Sequence, residues 1–275
     1  MKEATLSRTI FYILLLFIAA FCLGPFLWQL LTSLKPTEEL ITLPPILPSH
    51  VSFQSYENVF EGRPFERIIL NSAVVAVSTT VLSLLIGSLA GYSLAALKIR
   101  GKQLTLGLIL SISMFPPIAT VSPLFIIIRA LGLRDTYIAL IVPYAAFALP
   151  LTIWIVTNFF KEIPADLQEA SKIDGCTPFQ TFFKVYLPLA APGLVTAGIL
   201  VFIFSWNEFL YALTFTTTER SQTIPVGIAL FPGLFEIPWG DIAAATIIVT
   251  IPIVLVVFSF QRRIVSGLTA GSVKG

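Results

Sequence analysis

Charged residues are scarce in this sequence: seventeen Lys and Arg and fifteen Asp and Glu make up only 12% of 275 residues, for a net charge of +2. Such a balance leaves no electrostatic footprint for nucleic acid. Histidine occurs once, at His50, so no His-rich metal site or proton relay can be assembled. Cys22 lies in an apolar run and Cys176 in a polar interval, which excludes a disulfide framework. No Gly-x-x-x-x-Gly-Lys-Ser/Thr phosphate loop occurs, so the chain is not expected to hydrolyse ATP itself. Paired carboxylates and nucleophile–base constellations are also missing. The sequence therefore predicts no catalytic residue, no metal and no cofactor bound by this chain.

Apolar surface is what the chain has in excess. Hydrophobic residues make up 56% and the mean hydropathy is +0.90, against roughly 45–50% apolar in a soluble domain. One globular core cannot hide that much, so a lipid bilayer must serve as solvent. Nearly uncharged runs lie at Thr9–Thr32, Ile68–Leu97, Gln103–Ile128, Thr136–Phe160, Ala190–Leu213 and Ile242–Phe260. Each is long enough to cross the ~30 Å hydrocarbon core. The first is too long for a signal-peptide core, and Phe21 ahead of Cys22 spoils a lipoprotein cleavage site. An all-α polytopic membrane protein with six transmembrane helices follows, forming a single transmembrane domain over 1–275.

Basic residues orient it. With both termini in the cytoplasm, only Lys35, Arg63, Arg67, Arg129, Arg134 and Arg220 fall outside, and the remaining Lys and Arg fall inside. That places residues 161–189 in the cytoplasm, 214–241 outside, and a tail over 261–275 inside.

The longest polar interval between the last four spans, 161–189, reads as two short helices. Pro164-Ala165-Asp166 is a helix start, Gly175 a left-handed C-cap, and Thr177-Pro178 an N-cap followed by Pro at the first position. Leu187-Pro188 is expected to end the second helix. A helical hairpin projecting from a membrane has to dock onto something. Glu169-Ala170-Ser171, Gly175 and then Val185, Leu187 and Pro188 resemble the "EAA" signature of bacterial ABC importer permeases, departing at Ser171 for Ala and at Val185 for Ile. The resemblance implies the type I importer permease fold, with this loop seated as a coupling helix in a separate ATPase. Glu169, Ala170, Ser171, Asp174, Gly175, Leu187 and Pro188 then make the coupling contact. It also implies a dimer of ABC ATPase subunits holding ATP and Mg, an extracytoplasmic solute-binding protein, and a bacterial or archaeal cytoplasmic membrane. Six helices are few to enclose a solute path and no internal repeat is visible, so a second, similar permease chain is expected.

Elsewhere the chain offers candidate path residues. Pro116-Pro117 must kink or open the third span. In the fifth, Trp206-Asn207-Glu208-Phe209 with Tyr211 puts a carboxylate in an apolar run, where it needs a partner or water. Trp206, Asn207, Glu208 and Tyr211 either line the path or, for Glu208, cap the helix at the membrane boundary or pair with a neighbouring subunit. The Trp-Asn-Glu-Phe run followed by Ala-Leu is similar to the carbohydrate branch of the family. The Pro-Gly turn at Pro232-Gly233 with Leu234, Phe235 and Glu236 forms a semi-rigid outer loop, which the resemblance implies meets the binding protein. Gly267 and Gly271 are expected to break the last helix into an extended tail. That tail (Thr269, Gly271, Lys274) resembles the smaller membrane subunits of maltose-type importers and implies contact at the ATPase interface. The poverty of charge suits a neutral, sugar-like solute. A polyamine, phosphate or amino acid cargo is the alternative, and a stand-alone secondary transporter a more distant one, since it would need carboxylates near mid-membrane.

Overall fold

In hydrocarbon every backbone N–H and C=O must be satisfied within its own segment, and a helix does this locally. The computed structural model describes residues 2–41, 45–61, 64–231, 233 and 237–269, with backbone alone for 2–7 and 261–269. All its regular elements are helical: α1 (Lys2–Ser33), α2 (Thr37–Ile41), α3 (Gln54–Glu61), α4 (Phe65–Ala96), α5 (Lys102–Ile112), α6 (Pro117–Ala130), α7 (Ile138–Lys161), α8 (Ala165–Ile173), α9 (Pro178–Thr181), α10 (Leu187–Leu189), α11 (Ala191–Asn207), α12 (Leu210–Phe215), α13 (Ile224–Ala229) and α14 (Trp239–Thr269).

Among the described residues, four helices are long and apolar enough to span a membrane: Arg8–Ser33, Phe65–Ala96, Ile138–Lys161 and Trp239–Phe260. Two bent pairs bring the number of candidate spans to six. One is α5 with α6, bent by 83° at the expected break, where Pro116 caps α6 and Pro117 is its first residue. The other is α9–α10 with α11, bent by 79° at Ala190.

Three expectations are corrected. Pro188 does not end the second loop helix, which runs on through Leu187–Leu189. A π-turn over Phe182–Tyr186, in which the Leu187 N–H bonds back to the Phe182 carbonyl, widens the helix ahead of the proline ring. The fifth span is not continuous to Leu213, because Glu208 and Phe209 leave helical geometry between α11 and α12. Gly267 does not interrupt α14, which continues to Thr269. A lone glycine costs about 1 kcal/mol against alanine, too little to stop a long helix.

The chain divides into two compact units. The first holds 1–65 and 228–252. Here the amphipathic α3 is anchored by Tyr56, whose hydroxyl hydrogen-bonds with that of Ser33 (2.8 Å), and by Asn58, whose amide donates to Asp241 (3.2 Å). Gly240 at the start of α14 lies so close to the Ser55 hydroxyl that no Cβ fits.

The second unit holds 66–227 and 253–275. Gly87 and Gly91, spaced four apart on one face of α4, let it approach α7. A Cβ on Gly87 would meet the Thr152 methyl at 2.6 Å, and one on Gly91 would meet the Thr157 backbone at 3.2 Å. Gly193 of α11 likewise closes on the Phe159 ring of α7. A core of Val75, Leu140, Tyr144, Tyr211 and Phe215 fills one end of this unit. A second core, of Tyr92, Val156, Phe160, Phe182 and Tyr186, fills the region beside the signature loop.

Candidate functional site

Local capping chemistry builds the loop at 165–189. Pro164 precedes α8, Asp166 lies in its first turn, and Gly175 turns the chain at φ +77°. Thr177 and Gln180 form a reciprocal capping box at the start of α9. Between the two helices, the buried Ser171 hydroxyl reaches the Thr181 hydroxyl at 3.0 Å. Serine in place of the signature's alanine therefore contributes a staple that holds the hairpin shut.

Two further links tie the hairpin to the membrane helices, and neither was expected from sequence. Gln168 donates to the Ala96 carbonyl at the end of α4 (3.2 Å) and accepts from the Tyr186 hydroxyl (3.2 Å). Tyr92 of α4 donates to the Pro178 carbonyl (3.0 Å). Around them Tyr92, Phe160, Phe182 and Tyr186 form an aromatic box with ring centroids 4.9–6.4 Å apart. The hairpin is thus packed rigidly on its inner side.

Its outer side is unpartnered. Glu169, Ala170, Asp174, Gly175 and Pro188 are exposed, Leu187 is half-buried, and Ile173, Phe179 and Phe183 are 87%, 62% and 47% exposed. Large apolar side chains exposed on a rigid, polar hairpin mark an interaction surface. A cavity of about 270 Å³ beside it is lined by Tyr92, Lys98, Gln168, Glu169, Lys172 and Cys176, among others.

The candidate path residues fall into two groups. Pro117 and Tyr211 come together: the Tyr211 hydroxyl donates to the Pro117 carbonyl (3.1 Å) and hydrogen-bonds with Thr120 (2.6 Å). Tyr211 is buried, and its ring stacks on Phe147 at 5.3 Å, so protein already covers a ring face. Trp206 is buried and stacked on Phe202. Asn207 is exposed, and its amide donates to the Ile203 carbonyl. Glu208 accepts from the Tyr211 and Ala212 amides (3.0 and 3.2 Å), so its carboxylate caps α12. Pro116 is exposed at the third-span break.

In the outer loop Gly233 is exposed, while Leu234, Phe235 and Glu236 lie outside the described residues. Beside that loop, in the same unit, a cleft of about 580 Å³ is lined by Thr37, Ser55, Asn58, Trp239 and Asp241, among others. In the tail, Thr269 closes α14, and Gly271 and Lys274 lie outside the described residues.

Candidate membrane spans, two of them broken, and a helical hairpin with an exposed apolar face are what a membrane transport component requires. Residues 68–269 match the family described as binding-protein-dependent transport system inner membrane component, and the chain belongs to that family. It is 50% identical over 260 residues to the trehalose transport system permease protein SugB of Mycobacterium tuberculosis, covering 94% of each chain. It is 41% identical to the trehalose/maltose transport system permease protein MalG of Thermococcus litoralis, over the whole of both. The sulfoquinovosyl glycerol transport system permease protein SmoH of Agrobacterium fabrum is 44% identical, with 92% of this chain and 89% of that one covered. The fold matches a chain of a bacterial ABC transporter that imports the acidic polysaccharide alginate, with a TM-score of 0.81 and 24% identity over 95% of this chain and 98% of that one.

Proposed function

We propose that this chain forms half of the membrane path of an ATP-driven importer for a sugar or sugar-like neutral solute. The observation that carries the reading is the coupling hairpin, with an exposed apolar face outside and Gln168 and Tyr92 fastening it to α4 inside. Such a part transmits force between a soluble subunit and membrane helices. The cargo follows from the relatives named for trehalose, maltose and sulfoquinovosyl glycerol transport, and from the near absence of charge in the spans.

In this reading two ABC ATPase subunits bind ATP and Mg, which supply the energy. Ile173, Phe179 and Phe183 seat the hairpin in one of them, with Glu169, Asp174 and Gly175 in the contact. Closure of the ATPases drags α8 and α9. The Gln168 and Tyr92 hydrogen bonds pass the displacement to α4, and the aromatic box passes it to α7 through Phe160. A second permease chain completes the path, and a binding protein delivers solute through the outer loop around Gly233. The shift between inward and outward states is driven by differential affinity of ATP for the two states, with no chemistry by this chain. Asn207, Pro116 and Pro117, all exposed, are the stronger path candidates, while Trp206 and Tyr211 are stacked on Phe202 and Phe147 and Glu208 caps α12 at the α11–α12 break.

Reconstitution of the chain with its partner subunits in proteoliposomes tests the proposal. Uptake of a labelled disaccharide is expected only with ATP on the hairpin side and binding protein on the other. Uptake without ATP, or of an amino acid in preference to any sugar, overturns it.

A further inference from the structure

Three arginines converge at the end of α4 farthest from the coupling hairpin. Arg67 lies 25 positions before Tyr92, about 37 Å along the helix. With Arg134 and Arg220 it lines a cavity of about 560 Å³, whose wall also includes Asp135, Thr136 and Ser221.

The segments that carry them are pinned together. Asn71, one turn along α4 from Arg67 and fully buried, donates to the Glu219 and Gln222 carbonyls (3.0 and 2.8 Å), on either side of Arg220. Its carbonyl oxygen accepts the Tyr137 hydroxyl (2.6 Å), which anchors the turn bearing Arg134. Asp135, next to Arg134 and in the left-handed region at φ 60°, accepts from the Thr217 and Thr218 amides (2.9 and 3.0 Å), the Ser221 hydroxyl (2.6 Å) and the Thr218 hydroxyl.

That network places three arginines and one carboxylate around one recess, an excess of positive charge, with the Arg134 guanidinium also 5.1 Å from the Phe125 ring centroid. Among the described residues Asp135 is the one carboxylate in the wall, and it already accepts from four donors. Glu66 and Glu219 do not line the cavity, and none of the three arginines pairs with a described carboxylate. All three arginine side chains are exposed to the recess, and an anion there would accept charge-assisted, forked hydrogen bonds from their guanidinium groups. Leu70, one turn after Arg67 on α4, and Ile138, the first residue of α7 and four positions after Arg134, are each more than half exposed.

We propose that this recess binds a phosphate-bearing anion. The exposed leucine and isoleucine close to the arginines along the chain favour a lipid headgroup as its source, with acyl chains running down the helices. Free phosphate is the other source of the same chemistry. The site lies at the opposite end of α4 from the coupling hairpin and is independent of the sugar reading.

Its test is native mass spectrometry of the purified, delipidated complex titrated with short-chain phosphatidylglycerol, with inorganic phosphate, and with diacylglycerol as the uncharged control. Wild type is expected to bind phosphatidylglycerol but not diacylglycerol. R67Q/R134Q/R220Q is expected to bind it at least about tenfold more weakly for each arginine removed, and R67K/R134K/R220K to retain part of the affinity. Inorganic phosphate binding as tightly as the lipid identifies a soluble anion and supports the site; much weaker binding identifies the headgroup. Equal adducts of both phosphate probes on wild type and the glutamine variant overturn the proposal. So does a variant that keeps those adducts but loses capture of the binding protein, because the arginines then serve a protein partner. R220Q alone, at an exposed side chain, carries the same comparison if the triple variant does not assemble.

Discussion

The Tyr92 hydroxyl donates to the Pro178 carbonyl across 86 positions of sequence. This bond joins the end of α4 to the second helix of the hairpin at 165–189, in parallel with the Gln168–Ala96 bond to the first. Removing one hydroxyl leaves the aromatic box packed and takes away about 1 kcal/mol of net hydrogen bonding. A complex carrying Tyr92→Phe is therefore expected to assemble normally and its ATPase subunits to hydrolyse ATP, while it imports several-fold less solute per ATP. Parallel uptake and phosphate-release assays check this. An unchanged ratio means that packing alone transmits the motion.

Gly87 is expected to tolerate no larger residue. A Cβ there overlaps the Thr152 methyl, and overpacking of this kind costs about 1–3 kcal/mol. Gly87→Val should lower the thermal midpoint of the detergent-solubilised chain. At Gly107 an added Cβ would meet nothing within 4 Å, so alanine should be accepted there with no loss.

Glu208 separates two roles that the sequence leaves open. As a cap on α12 it holds two backbone amides, and a cap is worth about 0.5–2 kcal/mol. Glu208→Gln keeps an acceptor oxygen and should retain most uptake; Glu208→Ala should lose stability by roughly that amount. A glutamine variant that is fully stable yet transports nothing would assign the carboxylate to the solute path instead.

The legible parts of this protein are those whose causes are local. Pro164, Gly175 and Thr177-Pro178 announce the hairpin because capping depends on residues three or four positions apart, and Pro116-Pro117 announces a break because proline removes a donor wherever it stands. The Gln168–Ala96 and Asn71–Gln222 bonds are hidden because they cross 72 and 151 positions. The break at Glu208 misled the hydropathy reading, since an apolar run looks the same whether continuous or interrupted by a carboxylate that caps its second half. Gly267 misled it the other way, as a breaker in isolation that a long helix simply includes.

Asp135 gives a pH signature. Burial raises its pKa, but the hydrogen bonds from Ser221, Thr217 and Thr218 outweigh that and hold the carboxyl well below the ordinary carboxylate range. A depressed folded-state pKa contributes stability that is complete above the unfolded value of about 3.9 and is lost as pH falls through the folded one. The stability gap between wild type and Asp135→Asn should therefore be constant from about pH 5 to 8 and close only in strong acid. Melting curves across that range test it, and a gap that closes near neutrality contradicts it.

Affinity capture of the chain through an N-terminal tag in mild detergent, with mass spectrometry of the co-purifying proteins, tests the central claim most directly. An ABC ATPase and a second permease chain should be recovered with the wild type. Ile173→Asp or Glu169→Lys, both at exposed positions on the hairpin, should lose the ATPase while keeping the second permease. Recovery of this chain alone, or an ATPase held equally well by both variants, would contradict the assignment of the hairpin as the coupling surface.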